Sequence, residues 1–464
     1  MFEVSVETLL FLFQLKIFID FRPTAAKILK LAYPVILGQL GIVLMGVADT
    51  IMVGDLGKES LAAVNQANNL FFMLSGLTFG VLFAISTLVS VKVGEKRSSE
   101  GYTIYQSGIW VSLLLFIIQF IIMSLLISQF HLLQQTPEVN TIAPGYLKIV
   151  IWSILPLLLF LNCRQYADGL GHTKVSMVLT FLGLGFNILF NWLFIYGNWG
   201  FQAMGVEGAA WATLLSRWIM TIMGMTYVRY SNLMKSYIIE GRMSFWETRK
   251  YTHEIWKIGI PIALQTFAEW ACFALSGIMV GWFGNDPLAA HAVALNAASV
   301  TYMIVTGIAT AGSIFTGNAF GERNYFKIKH LGQITLILIL AFEIINAVLF
   351  IILNKPIAHL YRVEESVLPY ILPLFFLAAI FQVADGIQAG AMALLRGVKD
   401  VRWASVISMV SYWAISLPLS YLLGVILEDG VYGVWLGLTI GLFVAAIFGV
   451  IRFYKNVNKW EVAN

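Results

Sequence analysis

Long apolar segments without a charged side chain constrain this chain more than any other feature. Residues 104–130 carry no charge, and similar segments recur throughout the 464 residues. A helix of about 20 apolar residues is enough to cross the hydrocarbon core of a bilayer. Charged residues make up only 12% of the chain, whereas soluble globular proteins have about 25%. The sequence therefore predicts an all-α integral membrane protein without a sizeable soluble domain.

The apolar segments predict twelve transmembrane helices. Their predicted bounds are 26–53, 61–92, 104–128, 143–163, 175–197, 206–230, 253–281, 288–319, 329–354, 368–395, 402–423 and 431–454. Basic residues concentrate at both termini and in the loops that follow even-numbered helices. Of the 29 lysine and arginine residues, only Lys58, Lys148, Arg217, Lys355 and Arg362 lie elsewhere. Because basic loops stay in the cytoplasm, both termini are predicted to be cytoplasmic.

An internal repeat with an offset of 227 residues divides the chain. Residues 30–95 align with 257–322 without a gap and share 18 identities in 66 positions. Pro34 aligns with Pro261, and several Gly, Lys and Glu positions also coincide, which apolar composition alone would not produce. Each half is predicted to contain six helices, so the halves form a parallel repeat with a central site between the lobes.

The repeat predicts two pseudo-symmetric six-helix lobes with short flanking parts. The N-lobe is assigned to residues 23–230 and the C-lobe to residues 253–456. An N-terminal extension (1–22), a cytoplasmic interfacial linker (231–252) and a C-terminal tail (457–464) complete the chain.

The extension and the linker have features of their own. The extension is not expected to be a signal peptide, because its apolar stretch is followed by Lys16, Asp20 and Arg22 without a small-residue cleavage site. In the linker, Ser244 and Glu247 have the spacing of a capping box. The linker is therefore either a helix on the cytoplasmic surface or a plain solvated loop.

The seventh predicted helix carries a carboxylate at membrane depth, where a charge is costly and usually functional. Gln265, Glu269, Cys272 and Ser276 follow steps of four, three and four, which is one helical face. That face cannot be turned to lipid without leaving polar groups unsatisfied. It predicts a cation site, with a structural hydrogen-bonded pair between helices as the alternative.

The tenth predicted helix carries a second carboxylate at this depth. Gln382, Asp385 and Gln388 form a narrow polar stripe with a spacing of three. This stripe also predicts a cation site. The alternative is that Asp385 forms a structural pair with Arg396, near the cytoplasmic end of the helix.

The third carboxylate is Asp49 on the first predicted helix. Asn187 and Asn191, at positions i and i+4 of the fifth helix, place two amide groups on one face. An aspartate with two amides predicts a Na⁺ or H⁺ site, since hard cations prefer oxygen ligands. Interhelical hydrogen bonding, which asparagine often supplies, is the alternative.

Three further residues give weaker signals. Arg217 and Glu343 also lie at predicted membrane depth, where a position near an interface or a snorkelling side chain is favoured over function. His291 is expected to be a satisfied structural histidine.

Competition between a coupling cation and a substrate for one buried carboxylate is sufficient in principle for antiport. The same group can hold H⁺, Na⁺ or a cationic substrate, but simultaneous occupancy is disfavoured, and each ligand stabilises the conformation that binds it better. The sequence has no acid-rich metal motif of a membrane transferase and no Gly-rich nucleotide loop, so we predict a transporter that is not an enzyme and has no cofactor. A channel is disfavoured because no selectivity filter is repeated.

These residues occur in an order and spacing that resemble the multidrug and toxic compound extrusion (MATE) family, in its NorM-like branch. The resemblance covers nearly the whole chain from about residue 22. Its most specific segments are 34–54 with Ala48-Asp49-Thr50, 164–197 with Asp168-Gly169, Glu269, and 382–400 with Leu395-Arg396-Gly397. The resemblance implies a V-shaped pair of six-helix lobes in the bacterial inner membrane. It also implies export of lipophilic, often cationic compounds against a Na⁺ or H⁺ gradient.

The resemblance also implies roles for individual residues. A C-lobe cation site, with Na⁺ as a candidate ligand, is implied for Glu269 and Asp385, although Phe381 replaces the tyrosine of some Na⁺-coupled relatives. Thr213 joins Asp49, Asn187 and Asn191 in an implied polar N-lobe site. The candidate substrate-binding residues are Asp49, Glu269, Asp385 and an outer acidic pair, Glu364 and Glu365.

The expected partners are small organic substrates, the coupling cation and the lipid bilayer. Nucleic acid is not expected, because the basic residues do not form one patch, and we expect a monomer. The alternative function is a lipid-linked oligosaccharide flippase of the same superfamily. Such flippases tend to carry basic residues for phosphate in the central cavity, whereas the internal charges here are mostly acidic.

Overall fold

The computed structural model describes residues 6–133, 135–238 and 245–462, with the backbone alone for residues 6–20. These residues contain no β-strand and form twelve long helices. The helices are α1 (Val6–Gly54), α2 (Lys58–Gly94), α3 (Glu100–Ser128), α4 (Pro137–Gly169), α5 (Thr173–Phe194), α6 (Val206–Tyr230), α7 (Phe245–Gly281), α8 (Asn285–Gly321), α9 (Tyr325–Ile352), α10 (Leu368–Gly397), α11 (Val401–Ile426) and α12 (Gly430–Val462). The predicted all-α fold with twelve helices is confirmed.

Most of these helices have the length and composition of transmembrane segments. Eleven are long and apolar enough to cross a membrane, and the twelfth, α6, has 25 residues with Arg217 near its middle. The most apolar stretch of α3 has a mean hydropathy of 2.6, yet only 33% of it is buried within the protein. Its outer face exposes side chains such as Trp110 and Leu125. Such a surface requires lipid as its solvent.

Helix ends extend beyond the predicted apolar segments. Helix α1 begins at Val6 instead of residue 26, so the predicted extension is helical from there on. Helix α7 begins at Phe245 instead of residue 253. Lysine, arginine and glutamate are good helix formers, so a helix need not stop where its apolar segment stops. Of the predicted capping box, Ser244 lies outside the described residues.

The described residues form two compact units. The first unit comprises residues 37–270, and the second comprises the residues up to Ile36 and those from Ala271 onward. The divisions fall inside α1 and α7, which begin the two repeats. Each of these helices therefore contributes one part to each unit.

Helix α10 is central to the second unit. It packs against α8, α9 and α12. Ala25, Ile28 and Ala32 in the first part of α1 belong to the same apolar core. Because α10 is enclosed by other helices over much of its length, polar residues near its middle are buried within protein.

Helices α11 and α12 pack with unusually close backbones. Helix α11 contains two π-helical segments, Val410–Ser416 and Leu422–Ile426. The Ser416 hydroxyl donates to the Gly437 carbonyl at 3.3 Å, and the Ser420 hydroxyl donates to the Val434 carbonyl at 3.0 Å. A Cβ at Gly437 would lie 2.3 Å from the backbone nitrogen of Ser420.

Replacement of Gly437 by alanine is expected to destabilise the protein. Because the obstructing atoms belong to the backbone, the helices must separate, which costs about 1–3 kcal/mol. Thermal unfolding in detergent should show a lower midpoint than wild type. Gly185→Ala is the matched control, since no atom lies within 4 Å of a Cβ there, and alanine is expected to stabilise that helix by about 0.5–1 kcal/mol. Equal midpoints for Gly437→Ala and wild type would contradict the close packing.

Candidate cation-binding sites

Asp49 is the centre of a buried polar cluster in the first unit. The Asp49 side chain is buried and lies five residues before the end of α1. Asn191 Nδ2 donates to Asp49 Oδ1 at 2.6 Å, and Thr213 Oγ1 donates to Asp49 Oδ2 at 3.3 Å. Asn187 Oδ1 accepts from Asn191 Nδ2 at 3.4 Å. The structure thus brings together all four residues predicted for the N-lobe site.

The sequence of α5 explains why its asparagines face this cluster. Its buried stripe consists largely of small or polar residues, namely Thr173, Ser176, Thr180, Gly183, Asn187 and Asn191. These positions are spaced by three or four, so they share one helical face. Leucine and phenylalanine occupy much of the remaining surface. Helix α5 buries its polar stripe against α6 and neighbouring helices, and the apolar side chains are left for lipid.

Two buried atoms of the cluster have no hydrogen-bond partner among the described residues. They are Asn187 Nδ2 and Asn191 Oδ1. Buried polar atoms are normally satisfied, so each exception needs an explanation. Together with the oxygens of Asp49, Asn187 and Thr213, Asn191 Oδ1 provides a set of oxygen ligands of the kind that hard cations prefer. The cluster thus has the donor set for a small cation, and its carboxylate can equally hold a proton.

Arg217 lies beside this cluster, and its position there was not predicted from the sequence. It follows Thr213 by one turn of α6, and its charge is close enough to attract Asp49. Its Nη1 donates to Ser153 Oγ of α4 at 2.5 Å, and its guanidinium carbon lies 4.9 Å from the ring centre of Phe71 in α2. These contacts hold Arg217 among three helices, and the expectation that it lies near a membrane interface stays a prediction. The i, i+4 spacing from Thr213 is the signal that could have indicated this position.

Replacement of Arg217 by glutamine is expected to strengthen binding of the coupling cation. At an effective dielectric constant of about 20, repulsion between two unit charges falls from about 4 kcal/mol at about 4 Å to about 2 kcal/mol at twice that separation, and the smaller value corresponds to roughly tenfold to thirtyfold in affinity. The half-saturating concentration of Na⁺ or H⁺ for transport should fall accordingly. Arg217→Lys keeps the charge and serves as the control. A half-saturating concentration that rises in Arg217→Gln would show that Arg217 supports cation binding instead of opposing it.

The polar stripe of α10 is buried in the second unit. Asp385 is 8% exposed, Gln382 is 3% exposed and Gln388 is 1% exposed. Gln382 Nε2 donates to the hydroxyl of Thr301 on α8. Both polar side-chain atoms of Gln388 are buried without a partner in the described part of the chain. All three side chains are therefore enclosed by protein.

Glu343 on α9 is also buried and lies close to this stripe. Its side chain is 1% exposed, and Asn346 Nδ2 donates to its Oε2 at 3.4 Å. A Cβ added to Gly386 would lie 2.6 Å from Glu343 Cγ, so the glycine next to Asp385 permits this approach. Helix α10 therefore covers Glu343, and the expectation that it lies near a membrane interface stays a prediction.

The buried histidine of α8 has a structural partner. Trp435 Nε1 donates to His291 Nδ1 at 3.0 Å, and both side chains are buried. His291 is therefore satisfied, as predicted.

The remaining predicted residues belong to other segments of the chain. Gln265 is buried and Glu269 is half-buried on the part of α7 that belongs to the first unit, whereas Asp385 belongs to the second. The cation site predicted for Glu269 and Asp385 therefore stays a prediction. Glu364 and Glu365 are exposed in the loop before α10. Asp385 follows about 25 Å further along that helix, at 1.5 Å per residue, so the structure does not bring the outer acidic pair to it.

No group of three or more His, Cys, Asp or Glu residues suited to a metal ion occurs in the described ranges. The candidate sites instead combine one carboxylate with amides or hydroxyls. Such a donor set suits Na⁺ or H⁺ better than a transition metal, which prefers imidazole or thiolate.

Comparison with known proteins agrees with the repeat and the fold. The family model described as MatE matches residues 34–193 and 261–422, one match in each repeat. The chain is 31% identical to the "Probable multidrug resistance protein NorM" of Pasteurella multocida, over 94% of this chain and 96% of the relative. It is 32% identical to the "Multidrug resistance protein NorM" of Photobacterium profundum, over 93% and 96%.

Solved structures share the same fold. An outward-facing multidrug resistance MATE family transporter of the MOP superfamily matches with a TM-score of 0.85 and 22% identity. The match covers 94% of this chain and 97% of that structure. Since the family model covers more than half of the chain, and near-full-length relatives exceed 30% identity, this membrane protein belongs to the MatE family and is NorM-like.

Proposed function

We propose that this chain is a secondary active efflux transporter of the bacterial inner membrane. It exports lipophilic, often cationic organic compounds in exchange for Na⁺ or H⁺, and both termini are cytoplasmic. The names of its bacterial relatives, which are multidrug resistance proteins, support multidrug efflux. The mostly acidic character of the membrane-embedded charges supports a preference for cations.

The Asp49 cluster is the observation that carries this proposal. Burying a carboxylate in a membrane-spanning helix costs free energy, so a carboxylate found there usually has a function. Asn191 and Thr213 both donate to it, and neither donor is charged. The two hydrogen bonds orient the carboxylate but do not neutralise it, and Arg217 attracts it without forming an ion pair, so its negative charge remains available to a proton, a sodium ion or the positive group of a substrate.

Antiport follows when these cations compete. Only one positive group at a time is well accommodated, so arrival of the coupling ion displaces the substrate. Each ligand favours the conformation that binds it better, and a ligand can shift the equilibrium only by its difference in affinity. The gradient of the coupling ion then drives the substrate outward.

Transport by purified protein in liposomes tests this proposal. A fluorescent cationic dye should be exported when an inward Na⁺ gradient or an inward H⁺ gradient is imposed, and imposing each gradient separately identifies the coupling ion. Protein-free liposomes are the control. If neither gradient moves the dye and a lipid-linked sugar crosses the bilayer instead, the chain is a flippase and the proposal fails.

A further inference from the structure

A half-open cavity of about 310 Å³ lies within the first unit, away from the Asp49 cluster. It is formed by the beginning of α3 and the end of α6, the ends predicted to be cytoplasmic. The residues that define its chemistry are Tyr102, Gln106, Ile109, Met225, Arg229 and Tyr230. Its volume lies within the range of roughly 300–1,000 Å³ typical of small-molecule sites.

The cavity is polar at one end and apolar at the other. Tyr102, Arg229 and Tyr230 lie near the helix ends, whereas Ile109 and Met225 lie deeper along α3 and α6. Beyond them, Trp110 and Ile222 continue an exposed apolar surface. A ligand that matches this gradient has a polar head and an apolar tail. Tyrosine is enriched at the level of lipid headgroups because it also combines an apolar ring with a polar hydroxyl.

No described residue compensates the charge at the polar end of the cavity. Arg229 is exposed and makes no ion pair with any described residue. Glu100 is the acidic residue of α3 that is closest in sequence to the cavity residue Tyr102. It already forms ion pairs with Lys92 and Arg97 and accepts a hydrogen bond from the Tyr251 hydroxyl. An anionic group is therefore the complementary ligand for Arg229.

The cavity also contains an unused hydrogen-bond acceptor. Gln106 Oε1 is buried and has no partner among the described residues. A carbonyl oxygen needs an N–H or O–H donor. Beside it, Tyr102, Tyr105 and Tyr166 form an aromatic wall, with Tyr105 and Tyr166 ring centres 5.1 Å apart. A ligand that satisfies both Arg229 and Gln106 carries an anionic group for the arginine and a hydroxyl group for the glutamine.

We propose that this cavity binds the headgroup of an anionic, hydroxylated phospholipid of the phosphatidylglycerol class. The phosphate contacts Arg229, a glycerol hydroxyl donates to Gln106, and an acyl chain lies along Ile109 and Met225. The site is separate from the Asp49 cluster, because Arg229 follows Thr213 by 16 residues along α6, which is about 24 Å at 1.5 Å per residue. A lipid held there would add apolar and ionic contacts between α3 and α6.

Native mass spectrometry of the full-length protein in detergent tests this site. Phosphatidylglycerol should be retained in preference to phosphatidylcholine with the same acyl chains. One basic residue near a membrane surface contributes about fivefold in affinity for anionic lipid, so Arg229→Gln should lose about that much of the preference. Arg229→Lys should keep most of it, and Gln106→Leu should weaken retention of phosphatidylglycerol. Lys235→Gln, an exposed cytoplasmic-side lysine outside the cavity, should behave as wild type.

Two results would overturn the proposal. One is equal retention of phosphatidylglycerol by wild type and Arg229→Gln. The other is displacement of the lipid by free glycerol phosphate at comparable concentration, which would show an anion site that does not use the acyl chain. Because Arg229 is exposed, its variants are expected to fold, and helicity measured by circular dichroism confirms this before binding is compared.

Discussion

Asp49→Asn is expected to reduce gradient-driven efflux to the level of protein-free liposomes. Asparagine has nearly the same shape as aspartate, so the helix packing around Asn191 and Thr213 should persist. A unit charge contributes about 4 kcal/mol to holding a cation about 4 Å away at an effective dielectric constant of about 20. Loss of that charge should weaken cation binding by roughly a thousandfold. The measurement is dye export from proteoliposomes under each imposed gradient.

Asp55→Asn is the matched control for this experiment. Asp55 follows α1 and is exposed, and it accepts from the Tyr196 hydroxyl at 2.7 Å. The same chemical change there removes a surface charge and leaves the buried cluster intact, so transport should stay near the wild-type rate. If Asp49→Asn transports as well as Asp55→Asn does, the buried carboxylate is structural, and the role proposed for the cluster is wrong.

Asp385→Asn is expected to have a comparably large effect. Asp385 lies in a stripe with Gln382 and Gln388, and both polar atoms of Gln388 lack a partner among the described residues. Such a stripe offers oxygen ligands for a cation or hydrogen bonds for a polar substrate group. Without the charge, efflux driven by Na⁺ or H⁺ should fall by at least roughly a hundredfold, on the same electrostatic scale.

Glu343→Gln separates a transport role from a structural one in the second unit. Glutamine keeps the volume of Glu343, its contact with Gly386 and a polar oxygen for Asn346. We expect this variant to keep most of its transport rate. If Glu343→Gln stops transport and Asp385→Asn does not, the coupling carboxylate of this unit is Glu343. Thermal unfolding of both variants distinguishes loss of transport from loss of structure.

Much of the fold could be predicted from the sequence because its causes are local. Uncharged apolar segments specify helices that cross a bilayer, and the repeat of 227 residues specifies two related halves. The grouping of Asp49 with two amides was predicted for a similar reason, whereas Thr213 was added only by the resemblance to the MATE family. Asn187 and Asn191 share the single polar face of an otherwise apolar helix, and that face must be buried.

Other features depended on contacts between distant segments. Arg217 and Asp49 lie far apart in the sequence and become neighbours only when α1 packs near α6. Glu343 is covered because Gly386 leaves room for its side chain, which is a property of the α9–α10 contact and not of either helix alone. The cavity beside Arg229 likewise exists only because two helix ends meet.

Helical structure, a membrane location and a repeated half can all be inferred from the amino-acid sequence, because the cost of placing charges in lipid and the periodicity of a helix act within each segment. The packing of the helices was needed to show which polar groups meet, that α1 and α7 each divide between two compact units, and that Arg229 borders a cavity. Those outcomes follow from side-chain shape across helix contacts, which the pattern of one helix does not specify.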